Sequence, residues 1–222
     1  MIIFIGFFLV IIAISFVLAY RSMQDYQEIP SPEKNGVYLI QNPSSLTKEL
    51  IAEIGTKAGG EVVSFERLFK GNQSALVIFG PKPVLETFAQ LNLLELEEYT
   101  LIKAPKIAWE MGIKDSSLDF QGNPFASLPL LNLDEQFWWQ LLLQNQDKDH
   151  WQAQIRAVVV SGDSARLKEL SGSLAHLSRV IKIPRPLTSD QIYQQYLKRA
   201  LNSLSKPLIL NSQQILMLLG KV

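Results

Sequence analysis

Nineteen consecutive residues without a charge, Ile2 to Tyr20, constrain this 222-residue chain more than any other feature. A helix rises about 1.5 Å per residue, so one over that run comes close to the roughly 30 Å of a bilayer's hydrocarbon core. Gly6 and Ser15 are tolerable there, because a spanning helix satisfies its own backbone hydrogen bonds. Tyr20 and Arg21 stand where an aromatic and a cation mark the interface. The rival reading is a cleaved signal peptide, with Val17-Leu18-Ala19 as a poor cleavage site. Against it, no Lys or Arg precedes the run, which is also longer than the usual apolar region of about 7 to 15 residues. The expectation is a transmembrane anchor over residues 1–21. Arg21 and Lys34 follow the run while only the α-amino group precedes it. That bias predicts an integral, single-pass protein of the cell membrane with the remainder on the cytoplasmic side.

Residues 22–35 are polar, contain Pro30 and Pro32, and read as a linker. From Gly36 the pattern becomes regular. Val37 to Ile40 is strand-like and closed by Asn42-Pro43. Leu46, Leu50, Ile51 and Ile54 then recur at helical spacing, and Gly59-Gly60 ends that helix. Glu61 to Phe69 and Ser74 to Phe79 read as strands joined by a hairpin turn. Pro83 suits a first helical position, with Val84, Leu85, Phe88 and Leu91 on one face. Leu94 to Ile102 reads as a closing strand. The order β-α-β-β-α-β is that of a ferredoxin-like split βαβ unit, assigned to residues 36–103.

Residues 104–186 repeat the order. A first strand lies within Leu101 to Phe120, and Pro124 to Leu131 is a short helix interrupted by Pro129. Phe137 to Gln144 and Gln152 to Ser161 are strands, Asp163 caps a helix carrying Leu167, Leu170, Leu174 and Leu177, and Arg179 to Ile183 closes the unit. Residues 187–222 form a helical tail. Thr188 and Gln191 make a capping box for a helix with Tyr193, Tyr196, Leu197, Ala200 and Leu204 on one stripe. Pro207 to Leu210 is extended, and Asn211 caps a last helix stopped by Gly220. The predicted fold class is α+β: one N-terminal transmembrane helix, two tandem ferredoxin-like (split βαβ) units and a helical C-terminal tail. Leu50, Phe88, Leu167 and Leu174 are its expected core.

Zero Cys excludes disulfides, iron–sulfur clusters and thiolate catalysis, and only His150 and His176 are available as imidazoles. The sequence has neither a phosphate-binding Gly-x-x-x-x-Gly-Lys-Ser/Thr loop nor a His-Glu-x-x-His pair. Asp147, Asp149 and His150 read as a solvated hairpin tip sooner than a metal cluster. In Trp138-Trp139, adjacent strand residues face opposite ways, which predicts one core indole and one partly exposed. No catalytic, cofactor-binding or metal-binding residue is assigned, and the chain is expected not to be an enzyme.

Charge is distributed unevenly. Residues 22–150 hold ten basic against eighteen acidic side chains, whereas residues 151–222 hold ten against three. Arg179, Lys182, Arg185, Lys198 and Arg199 are the expected basic surface. Such a bipolar chain could steer DNA, acidic lipid or an acidic protein face, or its two ends could complement each other within one fold.

Several short runs carry a resemblance. They are Val63-Ser64-Phe65-Glu66, Ala75 to Pro81, Glu97-Glu98-Tyr99, Asn123 to Leu128, Glu135 to Leu142 and Leu210 to Ile215. In this order they resemble the membrane-proximal region of bacterial conjugative-transfer ATPases of the type IV secretion coupling-protein kind. The resemblance covers Gly36 to Gly220 and does not extend to the Walker motifs of that family's motor, so no catalytic residue carries over. It implies a non-catalytic assembly or adaptor module with a motor ATPase or another secretion component as partner. The alternative is a membrane-tethered module that binds nucleic acid or a ligand on its sheet faces.

Overall fold

The computed structural model describes residues 34–97, 106–113, 123–126, 128–147, 149–174, 180–182, 187–201 and 208–220. Nine strands among them form a single antiparallel sheet: β1 (Asn35–Ile40), β2 (Val62–Lys70), β3 (Gln73–Pro81), β4 (Leu93–Leu96), β5 (Lys106–Ile113), β6 (Gln136–Asp147), β7 (His150–Val160), β8 (Val180–Lys182) and β9 (Leu208–Leu210). Their order is β4-β1-β3-β2-β6-β7-β5-β8, and β9 pairs with the part of β7 that β5 does not reach. Five helices accompany them: α1 (Lys48–Ala58), α2 (Lys82–Leu85), α3 (Ser164–Leu174), α4 (Ser189–Lys198) and α5 (Ser212–Leu218).

This architecture corrects the expectation of an anchor followed by two tandem units. Separate units would leave β2 and β6 as free edges, each with a row of unpaired N–H and C=O groups. Instead the two strands pair with each other from Val62↔Gln144 to Lys70↔Gln136, and both halves become one sheet. The membrane assignment is corrected too. Among the described residues no helix is long and apolar enough to cross a membrane. The longest, α1 and α3, have eleven residues each, about 16 Å of rise and half of what a bilayer core requires. The proposed anchor, residues 1–21, lies outside the described residues. The integral single-pass placement at the cell membrane, with a cytoplasmic remainder, therefore has no support in the structure.

Strand alternation divides the sheet into two unlike faces. One face is mostly apolar, with Arg67 and Asn145 among its polar exceptions: Ile40, Val63, Phe65, Leu76, Ile78, Trp109, Phe137, Trp139, Leu141, Leu143, Trp151 and Ile155 are all buried there. Three helices cover it, through Leu50, Ile51 and Ile54 of α1, Leu167 and Leu170 of α3, and Ile215 and Leu218 of α5. Leu50, Phe88 and Leu167 are core residues, while the side chain of Leu174 lies outside the described set.

Local chemistry accounts for most boundaries. Thr47 caps α1 by accepting from Leu50 N–H, and Gly59 closes it in the left-handed region at φ 60°. Asp163 Oδ1 accepts from Ala165 N–H at the start of α3. Thr188–Gln191 and Asn211–Gln214 are complete capping boxes opening α4 and α5. Two predicted helices are corrected. The one after Pro83 lasts a single turn before a 3-10 turn at Ala89–Leu91. Residues 124–126 form only a turn, since Pro129 disfavours helical backbone at Leu128 and would clash with the preceding turn of a helix.

Candidate functional site

The second face carries the structure's concentration of buried polar groups. Antiparallel register brings one residue from each of four neighbouring strands into a row: Glu110 opposite Arg156, Arg156 opposite Gln140, and Gln140 opposite Glu66. All four are buried, Glu66, Gln140 and Arg156 completely. The row lies under α4, whose Ile192 and Tyr196 pack on Ala108, Trp138, Val158 and Val160.

The side chains of the row grip the C-terminal end of that helix. Arg156 Nη1 donates to the Gln195 carbonyl at 2.8 Å, and Nη2 donates to the Ala200 carbonyl at 2.6 Å and to Gln154 Oε1 at 2.9 Å. Gln140 Nε2 donates to the Tyr196 carbonyl at 3.0 Å and to Glu66 Oε1 at 3.1 Å. Glu66 Oε1 also accepts from Ser64 Oγ at 2.7 Å and from Arg199 Nε at 2.8 Å. A helix ends with unpaired carbonyls and a partial negative charge, so a guanidinium is the natural partner for it.

Two buried cations, Arg156 and Arg199, face two buried anions, Glu66 and Glu110, and the cluster is neutral as a whole. Burial pulls the Arg156 guanidinium down to about 10, against the opposing pull of Glu110 and Tyr196. Burial likewise raises the Tyr196 phenol well above its ordinary value, with Glu66 adding to the shift and Arg199 and Arg156 resisting it. Glu66 Oε2, Arg156 Nε and the Tyr196 hydroxyl make no hydrogen bond among the described residues. This arrangement can neutralise charge and fasten a helix.

The five residues of the expected basic surface are not brought together. Arg199 is 3 % exposed and paired with Glu66, its guanidinium 4.8 Å from the Phe79 ring centroid, and this corrects the expectation that it would stay at the surface. It follows α4 in the left-handed region at φ 49°, which turns its side chain back beneath the helix rather than outward. Lys198 is exposed. Lys182 belongs to β8, and its side chain lies outside the described set, as do Arg179 and Arg185 altogether. Trp138 and Trp139 do face opposite ways, yet both are buried, because α4 covers the face where an exposed indole was expected. Asp149 is used structurally: Ser212 donates to it through both N–H and Oγ, so the β6–β7 turn holds the start of α5. Among the described residues no three His, Asp or Glu side chains gather where they could hold a metal ion.

Sequence reading missed the polar row, although it left a signal. Glu66, Glu110, Gln140 and Arg156 each stand next to a large apolar residue within a strand, Phe65, Trp109, Trp139 and Ile155 in turn. A charge isolated in a buried strand requires a partner from elsewhere in the chain. Fold and site together define an α+β protein built on one antiparallel sheet, with an apolar face and an ionically fastened one. Compared with known protein families and with characterised proteins, the chain matches none.

Proposed function

We propose that this chain is a non-catalytic assembly or adaptor module that works by presenting a rigid surface to a protein partner. One observation carries the reading. Leu130 and Leu133 are 89 % and 81 % exposed on the segment leading into β6. That segment is held in place: Glu135, itself buried, accepts from Asn132 N–H at 2.7 Å and from Arg166 Nε at 3.0 Å, and Arg166 Nη2 donates to the Leu130 carbonyl at 2.8 Å. Two leucines displayed on a fastened loop suit a contact surface. The polar groups of the sheet, meanwhile, are occupied in holding α4. The resemblance of the quoted runs to conjugative coupling proteins makes a motor ATPase or another secretion component the partner class. The nucleic-acid alternative loses Arg199 from its basic surface.

The test is purification of the full chain from its own cells with identification of what accompanies it, alongside a Leu130→Asp/Leu133→Asp variant. A secretion-type ATPase retained by the wild type and lost by the variant supports the reading. The purified chain should hydrolyse neither ATP nor GTP, and turnover abolished by one point mutation would sink it.

A further inference from the structure

The placement of α4 relative to the seam between the halves has a mechanical consequence. At its first residue, Ser189 Oγ accepts from Ala108 N–H of β5 at 2.6 Å. Just past its last residue, Arg199 bonds Glu66 of β2. Between these points lie β7 and β6, whose Arg156 and Gln140 hold the helix's final carbonyls. Three strand spacings of about 4.8 Å make roughly 14 Å, and ten helical residues rise about 15 Å. The helix is thus long enough to bridge all four strands, and it crosses the junction where β6 of one half meets β2 of the other.

We propose that α4 is a strap, locked by charge across this seam, that opens as one unit while the sheet beneath it stays folded. The costs of burial are concentrated at this interface. The buried charged residues of the described strands, Glu66, Glu110 and Arg156, all point to this face, and Arg199 occupies a backbone conformation that an L-residue with a long side chain disfavours. The opposite face is held by a much larger set of apolar side chains under α1, α3 and α5. Opening is all-or-none for an electrostatic reason. Lifting only the end of α4 takes Arg199 from Glu66 and the helix carbonyls from Arg156 while the rest of the helix still keeps water from both, the costliest arrangement. Lifting the whole helix admits water to every charge at once. Release uncovers Trp138 and a four-residue polar row while the apolar core remains intact, the pattern of a local unfolding unit. The strap stands on these contacts alone and is independent of the partner proposed above.

Hydrogen exchange on the full chain, read by mass spectrometry, tests it. Amides of residues 190–198 should exchange as a set, faster than those of β6 and β7. Glu66→Gln, which removes the lock's charge and keeps its shape, should speed that set by at least about tenfold and leave α1 unchanged. If α4 exchanges at the rate of β7 in both proteins, the strap does not exist. Should Glu66→Gln fail to fold, Arg199→Gly replaces it, since glycine accepts the left-handed backbone and deletes only the lock. The same acceleration is expected, and an α4 rate equal to wild type overturns the proposal.

Discussion

Gly55 sits in the middle of α1, where alanine would ordinarily raise helix stability by about 1 kcal/mol. Here the sign reverses. A Cβ at this position would lie 2.5 Å from Trp151 Cζ2 and 2.7 Å from Asn145 Nδ2, and Trp151 is fully buried with no room to retreat. Gly55→Ala should destabilise the chain by about 1–3 kcal/mol in urea titration. Arg199 makes a second residue-scale case. Truncation to alanine leaves Glu66 buried without its guanidinium, so Arg199→Ala should cost about 3–5 kcal/mol. Glu66→Leu combined with Arg199→Ala should recover part of that loss, since no unpaired charge is then left buried, and the double-mutant cycle with the two single variants measures the coupling.

At the scale of elements, capping and anchoring set the expectations. Thr188→Ala removes half of a complete capping box and should lower stability by about 0.5–2 kcal/mol, visible in the unfolding midpoint. The segment before β6 has a pH dependence that follows from Glu135. Burial opposes ionisation of this carboxyl, but hydrogen bonds from Asn132 and Arg166 outweigh it and hold its pKa below the ordinary value of 4.5. A depressed carboxylate contributes stability that is fully present above its unfolded pKa and is lost as pH falls through the folded one. Protection factors of residues 128–134, corrected for the intrinsic pH dependence of exchange, should therefore stay high at neutral pH and fall below about pH 4 in the wild type but not in Glu135→Gln.

Across the whole molecule, the β2–β6 seam predicts a single unfolding transition. The four tryptophans, Trp109, Trp138, Trp139 and Trp151, all belong to β5, β6 and β7, so their fluorescence reports one half of the sheet. Ile78 is fully buried in β3, in the other half. Ile78→Ala should cost about 2–5 kcal/mol and shift the fluorescence and circular dichroism midpoints together. A fluorescence midpoint unmoved by this change would mean that the halves unfold separately.

What the sequence determined by itself is local. Thr188–Gln191 and Asn211 announce helix starts because a capping side chain acts within three residues, and the alternation from Val63 to Glu66 marks a strand because the pleat repeats every two. Leu50 and Leu167 are legible as core from the spacing of their own helices. Only the tertiary structure decided that β2 and β6 would pair and that residues 187–222 would supply α4 to one face and α5 to the other. Glu66 and Arg199 are 133 positions apart, and no local pattern can show that one carboxylate will neutralise one guanidinium across that distance. Arg199 read as a surface cation because helical periodicity continued past Lys198; a left-handed turn at that residue broke the period and carried the charge inside. Periodicity reports the face of an element, but burial depends on what the rest of the chain lays over that face.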